Sequence, residues 1–184
     1  DLAIAAPSIN RSVLGRVFPG TPAAGPDRLI SEGAFDQPLA IANFRVTGVD
    51  VDLGPMPVGM WRSVGNSANA FFHECALDEI AHAGGIDPVA LRLQAMKDFP
   101  VAAGVVRKVA DMAGWGTPGP AGTARGFAFC QSFGSTVAEI VQVSGSASAL
   151  RIDKVWIAAD LGTVLDPANV EAQMVSGAIY GLSA

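Results

Sequence analysis

Cysteine, histidine and clustered basic residues are all scarce in this chain, and each scarcity removes a class of function. Cys75 and Cys130 stand far apart, with no CxxC and no Cys/His cluster. A zinc site or a disulfide framework therefore has no ligand set, and both thiols are expected to be buried. His73 and His82 lie nine residues apart in HECALDEIAH. On a helix that spacing puts the two imidazoles on opposite faces, so the segment reads as a polar helix face and no metal ligand is assigned. Lys and Arg total 12 against 17 Asp and Glu, for a net charge of -5, which leaves no basic stripe for a nucleic-acid backbone. GxGxxG, GxxxxGK[ST] and the GxSxG elbow are all missing, so phosphate loops and the serine-hydrolase nucleophile turn find no support. No uncharged apolar run approaches the roughly 20 residues of a membrane-spanning helix, and DLAIAAPSINRS lacks the layout of a secretory leader.

What remains is a globular composition of 184 residues, half of them apolar and only 16% charged. That is ample material for a core. A mean hydropathy of +0.37 is high for a free-standing domain, so apolar surface is expected to meet a partner or the rest of a larger protein. The absence of an initial Met, and a last segment SGAIYGLSA that stops without a helix stop signal, fit an internal piece of a longer chain.

The pattern predicts an α+β fold with a mainly antiparallel sheet and packed helices. Residues 1–38 hold turn-formers around a strand end, a helical turn near Val13–Val17 and a loop through Pro26. IANFRVTGVDVDL alternates at Phe44, Val46, Val49, Val51 and Leu53, a half-buried strand with a bulge expected at Gly48. A helix capped by Asn66 or Ser67 follows, its core stripe read as Phe72, Ala76, Ile80 and Ala83, widened by Phe71 and Cys75, and Gly84–Gly85 stop it. Asp87–Pro88 opens a second helix, and a third runs from about Val101 to Ala113 with Val105, Val109 and Met112 on one face. GWGTPGPAGT suggests a linker at 117–124, dividing a strand-plus-helices segment, 1–116, from a three-stranded antiparallel unit with a C-terminal helix, 125–184. RGFAFCQSF, STVAEIVQVS and ALRIDKVWIAADLG are the three strands, the first pair turning at Gly134 and Ser135. Pro167 opens the last helix, with Val170, Met174, Ala178 and Leu182 on one side and Gly177 and Gly181 marking a close backbone approach.

Two segments have the local chemistry of a binding site. DLGTVLDPAN runs from strand through turn to helix, a junction that can aim amides at an anion. WRSVGN is the sharper anomaly: Trp61 and Arg62 sit on a loop hemmed by Gly59 and Gly65 and lead into a helix N-terminus. An anion cradle and a structural Arg stacked on Trp both account for it, and local chemistry leaves the two open.

Five stretches carry a resemblance: PSINRSVLGRVFPG, EGAFDQPLAIANFRV, PVGMWRSVGNSANAFFHECALDEIAHAGGIDPVALR, ARGFAFCQSFGSTVAEIVQVS and DLGTVLDPANVEAQMVSGAIYGLSA. Together they resemble the large molybdopterin-binding subunit of the xanthine dehydrogenase and aldehyde oxidase family, in its isoquinoline 1-oxidoreductase-like branch, over nearly the whole chain. The resemblance implies a molybdenum hydroxylase that oxidises an aldehyde or hydroxylates an N-heteroaromatic ring with oxygen from water. It also implies molybdopterin cytosine dinucleotide as cofactor and a separate [2Fe-2S] subunit, in some relatives followed by a cytochrome c subunit. Carried over by motif, Arg62 matches the arginine of the family's FRGFG-type loop, so Arg62, Ser63 and Gly65 are the expected cofactor contacts. Val64 falls where relatives place a substrate-sandwiching aromatic, and Trp61 is the neighbouring surface expected to replace it. Gln173 is a further candidate for the pterin dinucleotide, with helix packing as its alternative. No catalytic residue is expected within the chain: the family's GxGE glutamate would lie beyond Ala184, and the 184 residues alone are expected to be inactive. A non-catalytic scaffold, or a degenerate copy of the cofactor domain, is the competing reading. Cytoplasm and periplasm are both left open.

Overall fold

The computed structural model describes residues 1–19 and 25–183, so the GTPAA part of the first expected loop lies outside the described residues. The chain divides into two compact units, one of Asp1–Gln37 with Ile41–Glu79 and one of Pro38–Ala40 with Ile80–Ala184. The architecture is α+β, as the pattern predicts.

In the first unit, β1 (Leu2–Ala6) pairs in parallel with β2 (Val46–Asp50). Between them run α1 (Ile9–Val17) and a 3-10 turn at Arg28–Ile30. Ser8 caps α1 by accepting from the Arg11 amide, and Asp27 caps the 3-10 turn at Leu29. The Asp27 carboxylate also accepts from the Ser8 hydroxyl at 2.8 Å and from the Asn10 side chain at 2.8 Å. Burial alone would push the Asp27 pKa up, but these bonds, with those from the Asn10, Leu29 and Ile9 amides, outweigh it and hold the carboxyl below its ordinary value. The apolar centre is small, with Ile4, Ile30 and Ala34 buried and Leu2, Ala6 and Val46 packed against them.

The strand expected over Ile41–Leu53 shrinks to five residues, and its alternating set is largely exposed, at Phe44, Val49, Val51 and Leu53. No bulge interrupts it, because Ile4 pairs with Gly48 in an unbroken ladder. Gly48 has a different use. A Cβ there would press on Ile30 Cγ2 at 3.1 Å, so the glycine makes room for a core side chain.

The long helix α2 (Gly65–Gly84) reverses the predicted face. Its buried positions are Asn66, Asn69, His73, Glu74, Leu77 and Ala81, whereas Phe71, Phe72, Cys75, Ile80 and Ala83 are exposed and only Ala76 is intermediate. Periodicity located the helix but not the side that is covered, because polar residues with specific partners took the inner face. Asn66 and Ser67 lie inside the first turn and not at the cap. The exposure of Cys75, with Cys130 intermediate, likewise overturns the expectation of two buried thiols.

The second unit has an apolar core. Asp87 caps α3 (Pro88–Ala95) by accepting from the Ala90 amide at 2.9 Å, and α4 (Pro100–Ala113) ends at a left-handed Gly114. Strands β3 (Thr123–Ser132), β4 (Ser135–Ser146) and β5 (Ala149–Asp160) form an antiparallel sheet in that order. Phe133 and Gly134 both have positive φ in the two-residue turn joining β3 to β4, the geometry tight hairpins favour. Along β4, Thr136, Ala138, Ile140 and Gln142 are buried on one face. Ile140, Phe127 and Phe129 pack with Val105, Val106 and Val109 of α4 and Met96. Helix α4 therefore shares one core with the sheet across residues 117–124, and Met112, expected on its inner face, is exposed.

Arg92 is fully buried in this unit, its Nη1 donating to Pro88 O at 3.0 Å and its guanidinium 5.2 Å from the Phe127 ring centroid. On the opposite face of β4, burial raises the pKa of Glu139, whose ladder neighbours are Ala128 and Ile157. The last helix, α5 (Pro167–Leu182), is capped by Asp166 and has no buried residue. Val170, Met174 and Ala178 are half-buried as a stripe, but Leu182 is exposed. Among the described residues nothing lies within 4 Å of a Cβ built on Gly177 or Gly181, so the expected close approach is not made. No helix among the described residues is long and apolar enough to cross a membrane.

Candidate functional site

The WRSVGN segment is a turn held from three sides, all within the first unit. On its N-terminal side, Ser12 Oγ donates to Val58 O at 2.9 Å and accepts from Val58 N at 3.0 Å, while Arg16 Nη2 donates to the same carbonyl at 3.0 Å. These bonds fasten the irregular segment leading into Trp61 to α1. The turn then closes through Val64 N–H to Trp61 O at 3.0 Å and Asn66 N–H to Ser63 O at 3.0 Å.

Ser63 and Val64 both lie in the left-handed region, at φ 69° and 52°. Neither is glycine, and Val is β-branched, so each conformation costs about 1–3 kcal/mol. Surrounding bonds have to offset that cost. From beneath, Glu32 Oε2 accepts from Gly65 N–H at 3.2 Å. Asn69 Nδ2 donates to Ile30 O at 2.9 Å and Glu32 O at 2.7 Å, tying the first turns of α2 to the segment after the 3-10 turn. Close approach is built in: a Cβ on Gly65 would run into the carbonyl oxygens of Leu29 and Glu32, and one on Gly33 would sit 2.8 Å from Asn66 Cα.

Five of the six sequence-predicted site residues thus share one turn. Trp61 and Arg62 are exposed at its outer edge, and Ser63, Val64 and Gly65 are partly covered. Gln173 is an exposed residue of α5, in the second unit. The second sequence candidate, DLGTVLDPAN, spends its donors internally. Asp166 Oδ1 takes the Ala168 and Asn169 amides at 3.1 Å each, and Asp160 takes the Gly162 amide. Those amides are occupied by their own cap.

Sequence reasoning missed Glu32, Gly33 and Asn69, the residues that clamp the turn. Their partners lie more than thirty positions away in the chain, so no local spacing announces them. His73 and Glu74 are also buried, with His73 Nδ1 3.4 Å from Glu74 Oε1 and the imidazole edge-on to Phe44.

Chemically, the turn offers an exposed guanidinium at the head of a 20-residue helix with no carboxylate in its first turn. That donor set suits an anion. Glu32 consumes the Gly65 amide, so the exposed Trp61 and Arg62 are the part of the turn that reaches solvent.

No family model matches the chain. Curated relatives do. The chain is 34% identical over 155 residues to the beta subunit of isoquinoline 1-oxidoreductase from Brevundimonas diminuta, a match covering 82% of this chain and 19% of that protein. It is 30% identical over 199 residues to the membrane-bound aldehyde dehydrogenase (pyrroloquinoline-quinone) of Gluconacetobacter polyoxogenes, covering 95% and 24%. Against a nicotinate dehydrogenase subunit of Pseudomonas putida it is 29% identical over 153 residues, covering 72% and 13%. The chain therefore spans about a quarter or less of the length of each of these relatives.

Proposed function

For a chain that belongs to the molybdopterin-binding large subunits of the xanthine dehydrogenase and aldehyde oxidase family, in the isoquinoline 1-oxidoreductase branch, we propose that the Trp61–Gly65 turn forms one wall of a molybdenum hydroxylase active site. The observation that carries this reading is the turn itself: Trp61 and Arg62 exposed on a left-handed, clamped loop at the head of α2. The donor set fits an anionic pterin cofactor through Arg62, a cation placed just ahead of a helix whose Gly65 amide is already taken by Glu32.

In this reading Arg62 neutralises charge on the cofactor, and the Ser63 and Gly65 backbone sets how closely it approaches. Trp61 and Val64 shape the adjoining substrate space, with Trp61 supplying the flat apolar surface and the small Val64 leaving room above it. Gln173, on α5 of the second unit, stays a separate candidate carried by the sequence resemblance alone, with helix packing as its alternative. When bound, the molybdenum group supplies two-electron oxidation of a carbon centre with oxygen drawn from water. The cytosine dinucleotide form of the cofactor, a [2Fe-2S] small subunit and a cytochrome c subunit complete the proposed assembly. Its substrates are aldehydes or N-heterocycles, and the 184-residue chain by itself is inactive.

A second reading has its own observation. One relative's name carries pyrroloquinoline quinone, a cofactor whose anionic character the same turn also suits. The test is to purify the full-length protein with its partner subunits, measure molybdenum and quinone content, and follow dye reduction with benzaldehyde and with isoquinoline. Molybdenum present, and lost together with turnover in Arg62→Ala, supports the first reading. Quinone without molybdenum supports the second. A protein that holds neither and turns over nothing is the non-catalytic scaffold.

A further inference from the structure

The turn at the head of α2 contains a contradiction that its own side chains resolve. A four-residue turn closed by Val64 N–H to Trp61 O, with positive φ at its third residue, Ser63, has the feature that separates type II from type I turns. The two types differ by a flip of the central peptide plane, here Arg62–Ser63. With glycine at the third position the type II form is unstrained, but with serine the flipped, type I form is the easier one.

What opposes the flip is visible on the Arg62 carbonyl. Ser63 Oγ donates to it, Ser67 Oγ donates to it at 2.7 Å, and the two hydroxyls also touch each other. Two hydroxyl protons can fill only two of these three contacts, and in every arrangement the Arg62 carbonyl accepts at least one of them, which ties it to the first turn of α2. Among the described residues no peptide bond is cis. In a trans peptide the C=O and N–H point in opposite directions. Turning Arg62 O onto α2 therefore turns the Ser63 N–H the other way, off the head of the helix.

We infer that Ser67, assisted by Ser63, is a peptide-plane latch: a positioning residue that keeps the Arg62–Ser63 peptide flipped so that the Ser63 amide is presented to the ligand side of the turn. Its use in cofactor binding rests on the function proposed above. The latch itself is a property of this chain and is judged separately.

The experiment uses the full-length complex carrying Ser67→Ala, Ser67→Thr and the double variant Ser67→Ala/Ser63→Gly, each read by crystal structure and by cofactor content per complex. Loss of one hydroxyl bond is expected to shift the flip equilibrium by about tenfold, bringing Ser63 to negative φ and lowering cofactor content in Ser67→Ala. Threonine keeps the hydroxyl and restores both. Glycine at 63 removes the left-handed penalty and restores the type II plane and cofactor content without the Ser67 hydroxyl, which a mere packing defect at Ser67 would not permit. An unchanged plane in Ser67→Ala, or failure of the glycine rescue, overturns the latch. If the wild-type complex holds no cofactor, the proposed function fails, while the φ of Ser63 in wild type and Ser67→Ala still decides the latch.

Discussion

The two units of this chain are held together by different means. The second is built as a small globular protein would be, with Val106, Val109, Ile140 and Phe129 packed between helix and sheet. The first buries only Ile4, Ile30 and Ala34 as its apolar centre. It relies instead on directed bonds: Asp27 gathers the start of α1 and the 3-10 turn, Asn69 spans two carbonyls, and Glu32 takes the Gly65 amide. Apolar packing tolerates modest reshaping, whereas directed bonds fix individual groups in place. The unit that carries the candidate site is the one built for positioning, and it contains the left-handed Ser63 and Val64.

That contrast can be broken most forcefully in the second unit. Ile140→Ala removes a fully buried side chain and is expected to cost about 2–5 kcal/mol, read by urea unfolding, with the Trp61–Gly65 turn unchanged in structure. In the first unit, Gly33→Ala adds a Cβ against Asn66 at a residue with φ +82°. We expect about 2–3 kcal/mol of destabilisation there, together with movement of the α2 N-terminus. Asn69→Ala should cost roughly 1–2 kcal/mol by depriving two carbonyls of their donor, and a deletion of that size should loosen the turn more than the packing. A loss in Asn69→Ala as large as that in Ile140→Ala would erase the distinction between the units.

Smallest, and opposite in sign, are the pH effects. The folded pKa of Asp27 lies below its ordinary value, so the stability it lends is complete above the unfolded pKa and drains away as pH falls through the folded one. Glu139 is raised by burial, so the folded state binds the proton more tightly. Its contribution is full below the ordinary carboxylate range and is lost as pH rises from there through the raised value. Asp27→Asn should therefore flatten the acid side of a stability–pH curve, while Glu139→Gln should raise stability at neutral pH. Urea titrations from acid to neutral pH check both.

Much of the second unit was legible in the sequence. Alternation over β3–β5 and the Asp–Pro openings of α3 and α5 are local signals, and short-range physics decides them, although the turn expected at Gly134 and Ser135 falls one residue earlier, at Phe133–Gly134. The first unit was less legible because its decisive contacts are not local. The apolar stripe Phe71, Phe72, Cys75 and Ile80 pointed to the wrong face of α2, since Asn69 and His73 are covered by segments far back in the chain. Val49 and Val51 alternate as a core strand should, yet β2 is short and exposed. The site shows the same division. Trp61 beside Arg62 stood out as an anomaly, but the left-handed Val64, the Glu32–Gly65 bond and the hydroxyls on Arg62 O required the folded chain.

In the proposed function the Trp61–Gly65 turn lies against the cofactor. Hydrogen exchange of the full-length complex, compared between cofactor-loaded and cofactor-free preparations, tests it most directly. Loading is expected to slow exchange in peptides covering residues 61–66, by about tenfold or more at the Ser63 amide, while the core amides of β4 stay as they were. Identical exchange across residues 61–66 in the two preparations would contradict it.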